Sequence, residues 1–230
     1  MRQKQKQKDD FHVDCDYELS YNFDPKKTAV LSIDFQTDFL SSEGMCESRG
    51  LPTSNLRKIV PRAGALLNFA RNVGLTIIHT RECYKDDLSD LNPFRSYRDG
   101  IIGEPGPLGR FLVCTEKGSE IIPEMAPIAG ERVIDKAGFN AFYGTELHKT
   151  LQDAGITHVI IMGVTAQCCV SSTLRGAVDH GYFPLVVRDC CAAYDEEDLD
   201  ASIRVIYSEN HNFGWVAESE KVLNSIANES

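Results

Sequence analysis

The stretch THVIIMGVTAQCCVSSTLRGAVDHG, residues 157–181, changes character once along its length. Its first eight residues are mostly apolar and rich in branched side chains, which is the pattern of a strand buried on both faces. A short turn follows. CVSSTLRGAVDHG then reads as a helix that stops at Gly181. A strand that passes through a tight turn into a helix is half of a βαβ unit. Downstream, FPLVVRDCCAA (183–193) is a further strand and LDASIRVIYSE (199–209) a last long helix. Upstream, YGTELHKTLQDAG (143–155) is a helix closed by Gly155, with Thr145 as its expected N-cap. ERVIDKAG (131–138) and LTIIHTRE (75–82) read as strands. VPRAGALLNFARNVG (60–74) is a helix with Gly74 as its stop, and KTAVLSIDF (27–35) is another apolar strand.

Strands alternating with helices predict an α/β fold, a mainly parallel sheet with helices on both faces. We expect one domain over residues 21–230, preceded by a polar tail over 1–20 whose opening MRQKQKQKDD is disordered. Residues 83–118 are irregular, and GEPGPLGR (103–110) is dense in Gly and Pro. A loop of that length is expected to serve as a lid.

Composition narrows the function. The chain has 230 residues, 42% hydrophobic and 25% charged, and a net charge of −10. That balance excludes a general nucleic-acid binder, which needs basic faces against phosphate. No apolar run approaches the ~18 residues of a membrane span, so no membrane partner is expected. The charged start lacks a signal-peptide core, which points to the cytoplasm and to reduced thiols. The eight cysteines contain no C-x-x-C, so zinc spacing is absent. The adjacent pairs Cys168–Cys169 and Cys190–Cys191 suit no disulfide framework. We therefore expect neither metal nor cofactor.

Ligands of open α/β sheets sit beyond the carboxyl ends of the strands. Three chemically useful residues follow apolar strands: Asp34, Lys136 and Cys169. A carboxylate at such a position is costly unless paired. Cys169 sits where a turn passes into a helix, whose N-terminus lowers a thiol pKa and offers N–H groups to an oxyanion. Each signal alone is weak, but an acid, a base and a thiol at three ends of one sheet can share a site.

LSIDFQTDF, VIDKAGFNAFYGTEL and MGVTAQCCVSSTLRGAVDHGY together resemble the isochorismatase-like cysteine hydrolases, the superfamily of nicotinamidases, N-carbamoylsarcosine amidase, ureidoacrylate amidohydrolase and biuret hydrolase. The resemblance runs from about Phe23 to about Val222. It implies a doubly wound sheet of about six strands and assembly into homodimers or tetramers. It implies a catalytic triad of Asp34, Lys136 and Cys169, and a cis peptide at Val164–Thr165 that aims the Thr165 and Cys169 N–H groups at an oxyanion. The implied reaction is attack of Cys169 on an amide or ureido carbonyl, with Asp34 as the proton carrier. Ammonia or a small amine leaves, and water hydrolyses the thioester. Gln36, Phe39, Phe139 and Glu209 fall at positions expected to meet substrate. Nicotinamidases carry a metal set with two histidines, whereas His79 here has no second histidine nearby, so no metal is implied.

The middle segments TRECYKDDLSDL and IGEPGPLGRFLV resemble biuret hydrolase-like members. HNFGWVAESEKV and the aromatic at 139 resemble ureidoacrylate amidohydrolase instead. The expected substrate is a small ureido, carbamoyl or carboxamide compound. Trp215, the one tryptophan, is read equally as an interface or a core residue. Two other classes stay open: a non-catalytic small-molecule binder on the same fold, and a thiol redox protein built on the vicinal cysteines.

Overall fold

A computed structural model describes residues 11–225. Its principal strands are β1 (Phe11–Asp14), β2 (Ser20–Phe23), β3 (Thr28–Ile33), β4 (Thr76–Glu82), β5 (Arg132–Lys136), β6 (His158–Val164), β7 (Phe183–Ala192) and β8 (Trp215–Ala217). Its principal helices are α1 (Val60–Val73), α2 (Pro93–Arg98), α3 (Leu147–Asp153), α4 (Ser171–Asp179), α5 (Glu196–Ile206) and α6 (Ser219–Leu223). The main sheet has six strands in the order β8–β7–β6–β3–β4–β5, and every neighbouring pair is parallel. The chain builds β3, β4 and β5 in one direction, then returns to β6 and builds the other way. The order therefore reverses between β3 and β6, which opens a crevice at their carboxyl ends.

The central strands are apolar because both faces are covered. All six residues of β3 are buried. On one face, α1 packs Leu66 and Leu67 into a core that also holds Phe23, Met162 and Val222. On the other, Leu151 of α3, Leu174 of α4 and Ile203 of α5 pack on Leu31 and Ile161. Local signals fix the helix ends. Gly74 closes α1 in the left-handed region (φ 75°). The Asp195 side chain accepts the Asp198 N–H at 2.8 Å at the start of α5. Gly163 in β6 has φ 138°, and a Cβ there would lie 2.1 Å from the Ile33 carbonyl oxygen. Only glycine lets β6 approach β3 that closely where the β6–β7 register shifts.

Three expectations need correction, and one open reading is narrowed. The polar tail does not reach residue 20. β1 pairs antiparallel with β2, and Val13, Tyr21 and Phe23 are buried. Apolar and polar residues alternate over Phe11–Asp14, so one side of this short hairpin joins the core; residues 1–10 lie outside the described residues. Helix α3 begins later than expected. Thr145 still accepts the Leu147 N–H at 3.2 Å, but its own hydroxyl is turned back to the Ala141 carbonyl. Trp215, read equally as interface or core, lies half-buried in the edge strand β8, its ring 5.5 Å from that of Tyr21 and packed against the core. Finally, the thiols are not all reduced. Cys83 and Cys114 form a disulfide with their Cα atoms 5.0 Å apart, and Cys15, Cys46, Cys168, Cys169, Cys190 and Cys191 are free. The two partners stand 31 residues apart, and they meet because Tyr84 bridges to Val113 beside them.

That disulfide and a buried carboxylate hold the long loop against the sheet. Asp38 accepts the N–H groups of Leu112 at 2.8 Å and Met45 at 3.2 Å. Within the loop, α2 is capped by the Asn92 side chain.

Candidate active site

The carboxyl ends of β3, β4, β5 and β6 deliver four side chains to one point. Asp34 follows β3 with φ 54°, a left-handed turn that is costly for a residue with a Cβ. Its Oδ2 accepts from Lys136 Nζ at 2.7 Å and its Oδ1 from Thr80 Oγ1 at 2.5 Å. Lys136, the last residue of β5, also donates to the Gly138 carbonyl at 2.8 Å and to Cys169 Sγ at 3.6 Å. Cys169 stands in one π-helical turn, Ala166–Val170, between β6 and α4. The Val164–Thr165 peptide before that turn is cis.

The fourth side chain is Glu82, at the end of β4, which sequence reasoning missed. It is buried, and its Oε2 accepts from the Cys169 thiol at 3.5 Å. Its Oε1 accepts from Tyr84 Oη at 3.2 Å and from Arg95. Arg95 comes from α2 in the long loop, also bonds Asp99, and stacks 4.2 Å above the Phe139 ring. The sequence signal for Glu82 was present: like Asp34, it is an acid closing an apolar strand.

Electrostatics follow from burial and pairing. Burial alone would lower the Lys136 pKa, but Asp34, Cys169 and Glu82 together push it well above the usual lysine range. Hydrogen bonding with Cys168 and then burial hold the Cys169 thiol well above its ordinary value, against the pull of Lys136. The helix N-terminus was expected to favour a thiolate. The Cys168 contact, burial and the two flanking carboxylates outweigh that pull and favour the thiol. Asp34, Glu82 and Cys169 are close enough to bind a metal, but the Lys136 ammonium already stands among them as the counter-charge.

A cavity of about 220 Å³ opens above the sulfur. Phe39, Leu112 and Phe139 form apolar walls, and Arg49, Glu82 and Thr165 bring polar groups. An open groove of about 560 Å³ near the amino ends of β4 and β5 is larger, but neither a thiol nor a serine lines it.

Of the expected substrate contacts, Phe39 and Phe139 line the cavity. Gln36 does not. It is wholly buried, and its side-chain amide is spent on the Glu82 backbone, accepting its N–H at 2.7 Å and donating to its carbonyl at 2.9 Å. Glu209 also does not. It is exposed in a left-handed run outside the cavity lining, because the chain turns away after α5. His79 is buried within β4, with Nε2 at 3.0 Å from Glu131. It is a structural residue.

Residues 28–221 match the isochorismatase domain. The chain belongs to the isochorismatase family. Ureidoacrylate amidohydrolase RutB of Caulobacter segnis is 25% identical over 205 residues, which cover 84% of this chain and 83% of that protein. N-carbamoylsarcosine amidase from Thermoplasma acidophilum is similar in structure, with a TM-score of 0.67 and 27% identity, covering 84% of this chain and 97% of that one. A cysteine hydrolase from Pseudomonas syringae pv. phaseolicola shares the fold, with a TM-score of 0.76 and 24% identity over 87% and 92% of the two chains. Like its isochorismatase-family relatives, the chain is a hydrolase. No helix among the described residues is long and apolar enough to cross a membrane.

Proposed function

We propose that this hydrolase is a cysteine-dependent amidohydrolase. It cleaves a C–N bond of a small ureido, carbamoyl or carboxamide compound, biuret-like in size, through a thioester, and releases ammonia or a small amine. One observation carries the reading. Lys136 Nζ bridges Asp34 at 2.7 Å and Cys169 Sγ at 3.6 Å, beneath a cavity that Cys169 lines. A buried thiol held by a fixed cation, and flanked by carboxylates that can take its proton, is an activated nucleophile. The roles follow. Cys169 attacks the carbonyl carbon, and Lys136, anchored by Asp34, stabilises the negative charge that develops on sulfur. The N–H groups of Thr165 and Cys169 receive the oxyanion.

The cavity, at about 220 Å³, is smaller than the ~300–1,000 Å³ of sites for drug-sized ligands, which suits a small substrate. The names of the relatives, a ureidoacrylate amidohydrolase and an N-carbamoylsarcosine amidase, point to the same bond. The working form is a homodimer or tetramer. Tyr97, Tyr143 and Phe94, at 83%, 80% and 68% exposure, are the apolar surface that assembly would cover. The setting is the cytoplasm, where a reducing environment would open the Cys83–Cys114 pair.

The test is ammonia release from biuret, ureidoacrylate, N-carbamoyl amino acids, nicotinamide and simple amides, with Cys169→Ala as control. Turnover of a ureido compound, lost in the variant, is expected. Turnover that survives in Cys169→Ala overturns the mechanism. Tight binding of a panel member without product or covalent adduct overturns the enzyme reading.

A further inference from the structure

We propose that Cys83 and Cys114 act as a thiol–disulfide latch that sets how tightly the active-site cavity holds its substrate. The latch regulates the same site, so it rests on the amidohydrolase reading. Its first support is where the link stands. Cys83 directly follows Glu82, and Cys114 comes two residues after Leu112. Glu82 and Leu112 both line the cavity that Cys169 lines. The bond therefore joins two pieces of cavity wall that are distant in the chain. The residues it closes off, 84–113, carry two further lining side chains, Arg95 and Asp99.

The second support is what else holds this loop. Its returning arm is well fixed. Tyr84 donates its N–H to the Leu112 carbonyl at 2.7 Å, and Cys114 donates to the Tyr84 carbonyl at 2.9 Å. Ile102 and Phe111 are buried, so the loop stays folded without the link. Helix α2, however, buries none of its own side chains. It meets the cavity wall through charge, by Arg95 to Glu82 and by Asp99 to Arg49 at 3.0 Å. A segment with few buried apolar contacts opens locally at low cost. A cross-link limits the conformations open to a detached loop, so cutting it favours detachment.

The third support is reach. Cys83 is 2% exposed whereas Cys114 is half-buried, so a soluble thiol meets Cys114 first. A thiolate of a soluble dithiol attacks Cys114 Sγ. The S–S bond breaks with its pair on Cys83 Sγ, which takes a proton. The second thiol of the reagent gives up its proton and attacks the first, and Cys114 leaves as a thiolate that is protonated in turn. Two electrons and two protons have passed to the protein, and the dithiol has become a cyclic disulfide. Glutathione disulfide runs the change in reverse and leaves as two glutathione thiols. In a reducing setting the relaxed form is the resting one, and oxidation tightens the cavity.

The test uses the full chain, oxidised with glutathione disulfide or reduced with dithiothreitol. Mass spectrometry reads the state of each cysteine, and only fractions with Cys169 free are assayed. Turnover of the panel substrate that the wild type hydrolyses is then measured in both forms. KM is expected to be about 3–10-fold higher in the reduced form with kcat within about twofold, as when the closed loop falls to roughly a third to a tenth of the population. Cys83→Ala/Cys114→Ala is expected to show the reduced form's KM after either treatment. Equal KM values in the two wild-type forms overturn the proposal. So does a fall in kcat at unchanged KM, which places the effect on the chemical step. A redox response that persists in the double variant also overturns it, because another thiol such as Cys168 is then responsible. Failure of the wild type on the whole panel sinks the amidohydrolase reading instead. Amide hydrogen exchange of the wild type then decides on the latch alone. Faster exchange confined to residues 84–113 on reduction supports it; equal or molecule-wide exchange overturns it.

Discussion

At the residue scale, the site is a set of buried charges that are tolerable only together. Lys136 and Asp34 are both inside, and removing one leaves the other unpaired. Lys136→Met is expected to cost about 3–5 kcal/mol of stability in chemical denaturation, while Asp34→Asn/Lys136→Met together recovers much of that loss. The thiol gives a second prediction. Its pKa is raised, so at neutral pH it is protonated, and the thiolate fraction grows as pH climbs toward that value. Labelling of Cys169 by iodoacetamide is expected to accelerate from pH 7 to 9 without a plateau; a plateau below pH 8 would contradict the burial argument. Sequence reasoning reached Asp34, Lys136 and Cys169, because strand ends point to the crevice whatever the details. It missed Glu82 and misplaced Gln36 and Glu209. Which carbonyl or N–H an amide meets is set by packing across 46 residues in the case of Gln36, and no local pattern encodes that.

Elements hold those residues to within hydrogen-bond reach. Gly163→Ala places a methyl group 2.1 Å from the Ile33 carbonyl oxygen, so β3 and β6 must separate. We expect a loss of roughly 2–3 kcal/mol and a larger loss of turnover, because Asp34 and the turn to Cys169 ride on those two strands. The long loop is a second element with a single covalent anchor, the disulfide that closes 31 residues. Chain entropy assigns such a closure roughly 3–4 kcal/mol. Cys114→Ser is therefore expected to lower the melting temperature, with new proteolytic cuts within residues 85–113. An unchanged melt with and without dithiothreitol would remove the disulfide from the account. The periodicity of α1 and α5 and the apolar runs of β3, β4 and β6 were legible, since burial on two faces leaves a continuous apolar signature. The hairpin β1–β2 was hidden because strands of four residues give too short a pattern.

Across the whole molecule, stability in acid depends on a cluster far from the chemistry. Burial alone would raise the Glu131 carboxyl, but Arg71, the Ile128 N–H and His79 outweigh it and hold it at about 2. A carboxyl lowered from an ordinary 4.5 to about 2 stabilises the fold fully above pH 4.5 and loses that contribution as pH falls toward 2. Glu131→Gln is expected to cost roughly 1.5–3 kcal/mol at pH 7, with the gap to wild type closing near pH 2, read by denaturation at each pH. The sequence by itself determined the α/β class, the alternation of strands and helices, and the three strand ends where an acid, a lysine and a thiol stand. These are local matters: apolar periodicity, glycine stops and the direction of a parallel strand. Only the tertiary structure decided that a fourth side chain, Glu82, faces the sulfur, that Cys83 finds Cys114, and that residues 11–20 join the core. Each of those depends on contacts between segments distant in the chain, where geometry rather than local preference selects the partner.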